Sequence, residues 1–132
     1  MKLVTRDTDY AVRALCYMAK KGKGVVSCTE LVKELKMPRP FLRKILQDLG
    51  RRGIVRSHKG IGGGFKLLIS VNKIKLSELI KIFQGTIELN ECFFKKVLCP
   101  NRATCPLKKK IDNIGKYVEA ELENITIGSL LS

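Results

Sequence analysis

The chain has 132 residues, of which 45% are apolar, and its 26 lysines and arginines outnumber its 12 acidic residues. This length and content suit one compact domain, and neither a membrane-spanning apolar run nor a signal peptide is evident, so we expect a cytoplasmic protein with no membrane partner. Residues 1–66 hold 16 of the basic and 5 of the acidic residues, which indicates a polyanion-binding surface in the N-terminal half.

Two short helices are predicted first. The first runs from about residue 8 to residue 20, with Asp7 or Thr8 as its N-cap. Its apolar face is formed by four residues at helical spacing: Ala11, Ala14, Leu15 and Met18. The second opens with a capping-box pattern, Ser27 followed by Glu30, and stops at Pro38. We therefore predict a first helix with an apolar face and a second, short helix.

The segment RPFLRKILQDLGRRG predicts a third helix, with Pro40 in its first turn and Gly50 or Gly53 at its end. Its apolar stripe has the i, i+3, i+4, i+7 spacing: Leu42, Ile45, Leu46 and Leu49. Its other positions carry polar or basic side chains: Arg39, Arg43, Lys44, Gln47 and Arg51. Two short helices joined by MPRP, the second with a cationic face, resemble a helix-turn-helix that binds double-stranded DNA. The alternative is an amphipathic helix whose charges are merely solvated.

A glycine-rich hairpin is predicted next, because IVRSH and FKLLISV have strand composition and KGIGGG lies between them. Helix, helix and basic hairpin follow each other as in a winged helix. The wing would turn four side chains towards phosphates: Arg56, His58, Lys59 and Lys66. A nucleotide-binding loop is disfavoured, because its glycines are followed directly by a helix and here a strand follows. His58 is therefore interpreted as a wing residue.

A short helix, KLSELIKIFQG, precedes the cysteine segment, and a longer one, LKKKIDNIGKYVEAELENI, follows it. The longer helix repeats apolar residues at spacings of three and four: Leu107, Ile111, Ile114, Val118, Leu122 and Ile125. At about 19 residues, roughly 28 Å, it is longer than a small domain needs for its own core. We predict that it forms a homodimer contact; the alternative is a helix packed wholly within its own subunit.

Three of the five cysteines lie in the stretch CFFKKVLCPNRATCP: Cys92, Cys99 and Cys105. In a reducing compartment such clustering favours metal binding or thiol chemistry over a disulfide framework. Pro106 at the first position of the long helix makes Cys105 its N-cap, where the helix dipole favours the metal-binding thiolate. The spacing C-x6-C-x5-C matches neither zinc ribbons nor ferredoxins and suits loops around an inorganic cluster. Cys16 and Cys28 are interpreted as small buried apolar residues.

The start MKLVTRDTDYAVRAL, the turn KGIGGGFKL, the three cysteines and the ending NITIGSLL together resemble the Rrf2 family of winged-helix regulators. Iron-sulfur members of that family include the IscR, NsrR and RirA types. The resemblance implies a homodimeric repressor in which Cys92, Cys99 and Cys105 hold an iron-sulfur cluster, of the 2Fe-2S or 4Fe-4S kind, that controls DNA binding. It also assigns residues to the DNA contact: Arg39, Arg43, Lys44 and Gln47 to the recognition helix, and Lys59 with Gly60 to the wing tip.

The fourth ligand of the cluster differs between the iron-sulfur types of the family that this chain resembles. IscR-type members have a histidine three residues after the last cysteine, where this chain has Lys108. In the NsrR type an aspartate from the partner's first helix takes that role, and Asp9 matches it. The first cysteine spacing departs from both types. The metal ligands implied are therefore Cys92, Cys99, Cys105 and Asp9. Glu88, Glu91 and a small thiol or water from solvent are competitors for the fourth position.

We expect one compact domain, with the winged helix-turn-helix in residues 1–75 and the cysteine loop and dimerisation helix in residues 76–132. The alternative function is that of a metal-free family member, acting as a thiol switch or as a constitutive DNA-binding repressor. An enzyme is disfavoured, because the sequence has one histidine, no nucleophile-base constellation and no C-x2-C redox pair. No small-molecule substrate is indicated.

Overall fold

The computed structural model describes residues 3–22, 24–85 and 105–131. Within these ranges the chain forms helices and one antiparallel hairpin in the order α1 Arg6–Lys21, α2 Cys28–Leu35, α3 Arg39–Arg51, β1 Val55–His58, β2 Gly64–Leu67, α4 Leu76–Gln84 and α5 Pro106–Glu123. Short 3-10 turns lie at Val71–Lys73 and Gly128–Leu130. The predicted fold class, a winged helix-turn-helix followed by a long C-terminal helix, is confirmed.

The N-cap of α1 is Thr5, so the prediction of Asp7 or Thr8 was wrong. Gln84, at the end of α4, explains the difference. Its Oε1 accepts a hydrogen bond from the Thr5 backbone N–H at 2.9 Å and one from the Thr8 hydroxyl at 2.6 Å. Thr8 is fully buried, and its hydroxyl serves this contact rather than a cap. The predicted apolar face of α1 is confirmed, since its members are all buried: Ala11, Ala14, Leu15 and Met18.

The start of α2 follows the predicted capping pattern. Ser27 Oγ accepts a hydrogen bond from the Glu30 backbone N–H at 3.0 Å, which satisfies one of the free amides of the first turn. The helix ends at Leu35, where Lys36 takes a left-handed conformation with φ of 54°. The chain thus turns before Pro38 is reached, and α2 stays short enough to pair with α3 as a helix-turn-helix.

Helix α3 buries its predicted stripe completely: Leu42, Ile45, Leu46 and Leu49. Pro40 lies in its first turn, as predicted. The helix ends at Arg51, with Arg52 as C-cap, and Gly53 follows with a positive φ of 74°. The opposite side of the helix is therefore free to present polar side chains outward.

Strands β1 and β2 pair in antiparallel register from Val55 opposite Leu67 to His58 opposite Gly64. The composition of FKLLISV predicted a strand as far as residue 71, but β2 ends at Leu67. Because β1 has four residues, it provides ladder partners for only four residues of β2. Beyond the ladder a single hydrogen bond continues, from the Leu68 N–H to the Ile54 carbonyl at 3.0 Å.

A bridge that the sequence did not predict holds the wing against the segment before α2. The Val26 N–H donates to the Phe65 carbonyl at 2.8 Å, and the Phe65 N–H donates back to the Val26 carbonyl at 2.9 Å. A Cβ on Gly64 would lie 2.2 Å from the Val26 carbonyl oxygen. Glycine at that position is therefore what lets the two backbones approach.

The C-terminal end of α5 is fastened to the rest of the fold. Helix α5 packs on α4, and Lys81 Nζ lies 3.5 Å from Glu119 Oε1. After the helix, the Ile127 N–H donates to the Ile74 carbonyl at 2.9 Å, while the Leu76 N–H donates to the carbonyl of Ile125 at 2.8 Å. The Ile127 side chain is fully buried, so the last described segment completes the core.

One apolar core lies between α1, α2, α3 and α4, beneath the wing. It includes side chains from every one of these helices and from the base of β1: Ala11, Leu15, Leu31, Leu42, Leu49, Val55 and Leu79 among others. This core fixes α3 through its inner face. Core packing, rather than the polar side chains, therefore sets the position of the outer face of α3 relative to the wing.

Candidate nucleic-acid interface and cysteine segment

A groove of about 1180 Å³ lies between α3, the wing and the N-terminus of α2. Seven of the nine residues predicted to contact DNA line it: Arg39, Arg43, Gln47, Arg51, Arg56, His58 and Lys59. Lys44 and Gly60 are exposed but lie outside the lining. The fold therefore brings residues from two elements, separated along the chain by up to 20 positions, to one cationic surface.

Four of the lining side chains form one row along α3. Arg39, Arg43, Gln47 and Arg51 are each four positions apart, and residues at this spacing lie above one another on a helix. The row faces the groove, whereas the stripe that includes Leu42 and Leu49 is buried. An α-helix with such a row has the dimensions that fit the major groove of B-form DNA.

The side chains at the two ends of this row make polar contacts within the chain. Arg39 donates from Nη2 to Thr29 Oγ1 at 3.1 Å, and Arg51 forms an ion pair of 2.7 Å with Asp48. Among the residues that the structure describes, Arg43 and Gln47 make no side-chain hydrogen bond or ion pair. Their donors are therefore available to base edges or phosphates without breaking an internal contact.

The N-terminus of α2 also lines the groove, which sequence reasoning missed. Ser27, Cys28 and Thr29 contribute to the lining, because the bridge between Val26 and Phe65 draws this segment against the wing. The sequence carried only a weak signal for this lining. The capping box placed Ser27 at a helix start but did not indicate that the wing lies opposite. Cys28 and Cys16, predicted to be buried, are only half-buried, although both pack against the core.

A polar contact joins α1 to α2 behind the groove. The Tyr17 hydroxyl donates to Glu30 Oε2 at 2.7 Å, and Lys21 Nζ lies 3.3 Å from the same oxygen. The hydrogen bond to Glu30 raises the pKa of Tyr17 from 10.0 to about 12, and the same bond lowers the pKa of Glu30. Burial raises the pKa of the Cys16 thiol, so this cysteine is held as a neutral thiol.

Cys105 is the one member of the predicted cysteine triplet within the described residues; Cys92 and Cys99 lie outside them. It occupies the N-cap of α5 in extended conformation, as predicted, and its side chain makes no capping hydrogen bond. The thiol is free and half-buried. A free, half-buried sulfur at a helix start is accessible to a metal ion, so this residue is compatible with the predicted cluster.

Asp9 lies in the first turn of α1, where its Oδ2 is 3.0 Å from Arg13 Nε. Both side chains are about half exposed. Its competitors for the fourth ligand position, Glu88 and Glu91, lie outside the described residues. Within residues 3–22, 24–85 and 105–131, no three potential metal-ligating side chains come together, and no helix there is long and apolar enough to cross a membrane.

Comparison with known proteins places these features in a family. The sequence model of the Rrf2 family, described as an iron-dependent transcriptional regulator, matches residues 4–132. A protein of Aquifex aeolicus named as an HTH-type transcriptional regulator is 31% identical over 98% of this chain and 92% of its own length. The regulator NsrR of Shouchella clausii is 29% identical over 97% of this chain and 87% of its own.

The fold has close counterparts among solved structures. CymR, titled the global cysteine regulator of B. subtilis, superposes with a TM-score of 0.82 at 22% identity, covering 99% of this chain and 97% of its own. At this identity the likeness establishes the winged-helix architecture and the position of the long C-terminal helix.

Proposed function

Because this chain belongs to the Rrf2 family of transcriptional regulators, we propose that it binds its operator as a homodimer and that an iron-sulfur cluster controls this binding. Family membership makes it a DNA-binding regulator rather than an enzyme. The proposal adds three specific parts: which residues contact DNA, which residues hold the cluster, and how the two are connected. The polar row of α3 facing the wing is the observation that carries it.

The DNA contact is proposed for the side chains that line the groove. Arg43 and Gln47 lie in the middle of the α3 row and are free to form bidentate contacts with bases, each of which typically supplies about 1–3 kcal/mol of discrimination. Lys59, which follows the last residue of β1, would contact a phosphate, which adds affinity without sequence information. The helix would thus read the sequence while the wing fixes its position on the duplex.

A mutant series tests this assignment. Binding of the full chain to duplexes selected by it from a random pool is measured over a range of salt concentrations. Arg43→Ala should relax sequence preference, whereas Lys59→Ala should weaken all duplexes alike and reduce the salt slope by about one. Lys33→Ala, an exposed cation on α2 outside the groove, is the matched control. Equal binding by the double variant Arg43→Ala, Lys44→Ala and by the wild type would reject the assignment.

The cluster is proposed to be held by Cys92, Cys99 and Cys105, with two or four irons. The clustering of these thiols, the free sulfur of Cys105 at the start of α5 and the description of the family as iron-dependent support this. When bound, such a cluster would supply an iron site with one exchangeable ligand, because three cysteines leave at least one position without a thiolate. Loss or alteration at that position is the proposed signal.

The fourth ligand is proposed to be Asp9 of the partner subunit. Within one subunit the Asp9 carboxylate is paired with Arg13, so ligation would require that ion pair to open. A carboxylate oxygen is a harder ligand than a thiolate and holds iron in a sulfide cluster less firmly. The test compares Asp9→Ala with Glu88→Ala and Glu91→Ala for the cluster spectrum and its lifetime in air. Faster bleaching in a glutamate variant, with Asp9→Ala unchanged, would reject the cross-subunit ligand.

The dimer contact is proposed for the exposed apolar residues of α5. Leu107, Ile114 and Tyr117 are large exposed side chains on this helix, and a second copy would cover them. The opposite end of α5 is fastened through Ile127 to the segment before α4. A change at Cys105, at the start of the helix, would therefore alter the distance between the two recognition helices, which must match half-sites about 34 Å apart.

An anaerobic preparation tests the cluster directly. Brown protein with stoichiometric iron and sulfide is expected, and Cys92→Ala, Cys99→Ala or Cys105→Ala should each lower iron content sharply. Cys16→Ala and Cys28→Ala are the controls and should retain iron. Full iron content in all three single variants of the triplet would reject these ligands. When the protein is in the cluster state that favours DNA binding and its operator overlaps a promoter, it should repress transcription. A reporter assay would measure this repression.

The second candidate is a metal-free regulator whose thiols act as a switch or only pack structurally. The fold neighbour CymR, titled a global cysteine regulator, favours keeping this candidate. Colourless protein without bound iron, and with DNA binding that responds to oxidants or thiols, would select it over the cluster-sensing regulator.

A further inference from the structure

Arg6, in the first turn of α1, stacks its guanidinium on the ring of Phe41, in the first turn of α3. The Arg6 Cζ lies 4.3 Å from the centre of the ring, and a cation is attracted to an aromatic face within about 6 Å. Both side chains remain open to solvent, since Phe41 exposes 42% of its surface and the Arg6 side chain 57%. An exposed ring on the proposed recognition helix therefore supports a cation that belongs to another helix.

Phe41 lies on the side of α3 that faces away from the wing. It is two positions before Arg43, which corresponds to roughly 160° around the helix axis, and neither Phe41 nor Arg6 lines the groove between α3 and the wing. Lys44 is three positions after Phe41, so the two are neighbours on the helix surface, and it is exposed outside that groove as well. We call Arg6, Phe41 and Lys44 the far flank of α3.

The backbone that carries Arg6 is fixed by Gln84, at the end of α4. Gln84 Oε1 accepts a hydrogen bond from the Thr5 N–H at 2.9 Å, and its Nε2 donates to the Leu3 carbonyl at 3.1 Å. The Arg6 Nε also lies 3.5 Å from Asp7 Oδ1, but an ion pair between exposed side chains is weak. The Arg6 guanidinium is therefore held in position and is still accessible to an anion.

We propose that Arg6 binds a DNA phosphate across the major groove from the phosphate that Lys59 contacts, and that Phe41 positions it there. The major groove of B-form DNA is about 12 Å wide, and an α-helix with its side chains is about 10–12 Å in diameter. With α3 in that groove, the wing side meets the backbone of one strand and the far flank meets the backbone of the other. A guanidinium suits this contact, because its fork of donors matches phosphate oxygens. This inference rests on the proposed DNA binding.

Neutral phosphates test where Arg6 binds. A duplex that the full chain selects from a random pool is made in versions that each carry one methylphosphonate, which removes the charge of a single phosphate. Wild-type protein should lose at least about tenfold in affinity at each contacted phosphate, as for a lost hydrogen bond to a charged group. Arg6→Ala should be insensitive at one of these positions in each half-site. Lys59→Ala should be insensitive at a different position, on the other strand.

The salt dependence separates a phosphate contact from a merely structural role. Arg6→Ala should reduce the salt slope by about one for each subunit bound and leave the sequence preference unchanged, while Arg6→Lys should retain the slope. Lys20→Ala is the matched control, because this exposed cation lies on the same helix, about 21 Å from Arg6 along its axis. It should bind as wild type. Circular dichroism of each variant verifies that helical content is kept.

The positioning role of Phe41 is tested by removing the ring and by keeping it. Phe41→Leu should weaken binding about two- to fivefold, the size expected for one exposed cation–π contact. Its effect should be smaller when Arg6→Ala is already present, because the two side chains act as one unit. Phe41→Tyr keeps the ring and should bind as wild type.

Two results would overturn the inference. One is an identical methylphosphonate profile for Arg6→Ala and wild type, which would reject the phosphate contact. The other is a Phe41→Leu effect that is the same with and without Arg6→Ala, which would reject the positioning role. A wild-type protein that selects no duplex from the pool would instead reject the proposed DNA binding itself.

Discussion

The apolar stripes of α3 and α5 have similar spacing and different surroundings. In α3 all four stripe residues are buried: Leu42, Ile45, Leu46 and Leu49. In α5, which the structure describes throughout, Leu107 and Ile114 expose 65% and 51% of their surface, and only Leu122 is buried. Helical periodicity therefore identifies an apolar face but does not reveal whether the same chain or another copy covers it.

The largest expected effect tests the buried side of this comparison. Leu49→Ala should lower the free energy of unfolding by about 3 kcal/mol, because it removes a fully buried side chain and leaves a cavity that the core only partly refills. Urea unfolding followed by far-ultraviolet circular dichroism measures the loss. At a dilution that keeps the chain monomeric, Leu107→Ala, the same substitution at a position exposed within one subunit, should cost less than about 1 kcal/mol. Similar losses in the two variants would break the comparison.

Leu122→Ala extends the comparison of buried with exposed apolar residues to two positions of α5. Leu122 is buried at the end where α5 packs on α4, so its truncation should cost about 2 kcal/mol, near the lower end for leucine at a buried site. The same unfolding assay applies. A loss as small as that of Leu107→Ala would mean that α5 is not anchored to its own subunit by this residue.

Ile114→Glu tests the exposed side. If a second copy covers this face, a charge placed there should raise the dimer dissociation constant at least about tenfold, or about 1.4 kcal/mol, while the helical content stays unchanged. Light scattering over a dilution series measures the dissociation. Asn113→Glu, one position away at an exposed polar residue, adds the same charge and should have little effect. Equal dissociation constants for the two variants would contradict a dimer contact at Ile114.

The smallest expected effect concerns the pH dependence of stability that arises from the Tyr17–Glu30 contact between α1 and α2, in the part of the fold that contains α3. The pKa of Tyr17 is near 10.0 in the unfolded chain and about 12 in the folded one, so the unfolded chain loses this proton first. The stability that the Tyr17 hydrogen bond contributes is therefore fully present below pH 10.0 and is lost as the pH rises towards about 12. Tyr17→Phe and Glu30→Gln should each remove this component of the pH dependence. An unchanged dependence in Tyr17→Phe would show that the contact does not stabilise the fold.

Local patterns in the sequence predicted the features that depend on neighbouring residues. The N-cap at Ser27, the stripe of α3 and the glycine-rich turn each need only a few adjacent positions, and the structure confirms all three. Seven of the nine residues predicted to contact DNA line one groove, and their contact with DNA stays a prediction.

Features that join distant segments were not predictable from one sequence. Thr5 is the cap of α1 because Gln84 lies beside it, 79 positions away, and no local signal encodes that neighbour. The bridge between Val26 and Phe65 is likewise formed by backbone groups, which carry no side-chain signature. Cys28, which lies two positions after this bridge, also lines the groove.

The bridge between Val26 and Phe65 also bears on the thermodynamics of association. Because the wing is hydrogen-bonded to the segment before α2 as well as to its own partner strand, it is ordered before any duplex arrives. A preorganised element loses little conformational entropy when it binds. The heat-capacity change on association should therefore reflect the apolar surface that the interface removes from water, without the additional contribution that folding of a disordered arm would make.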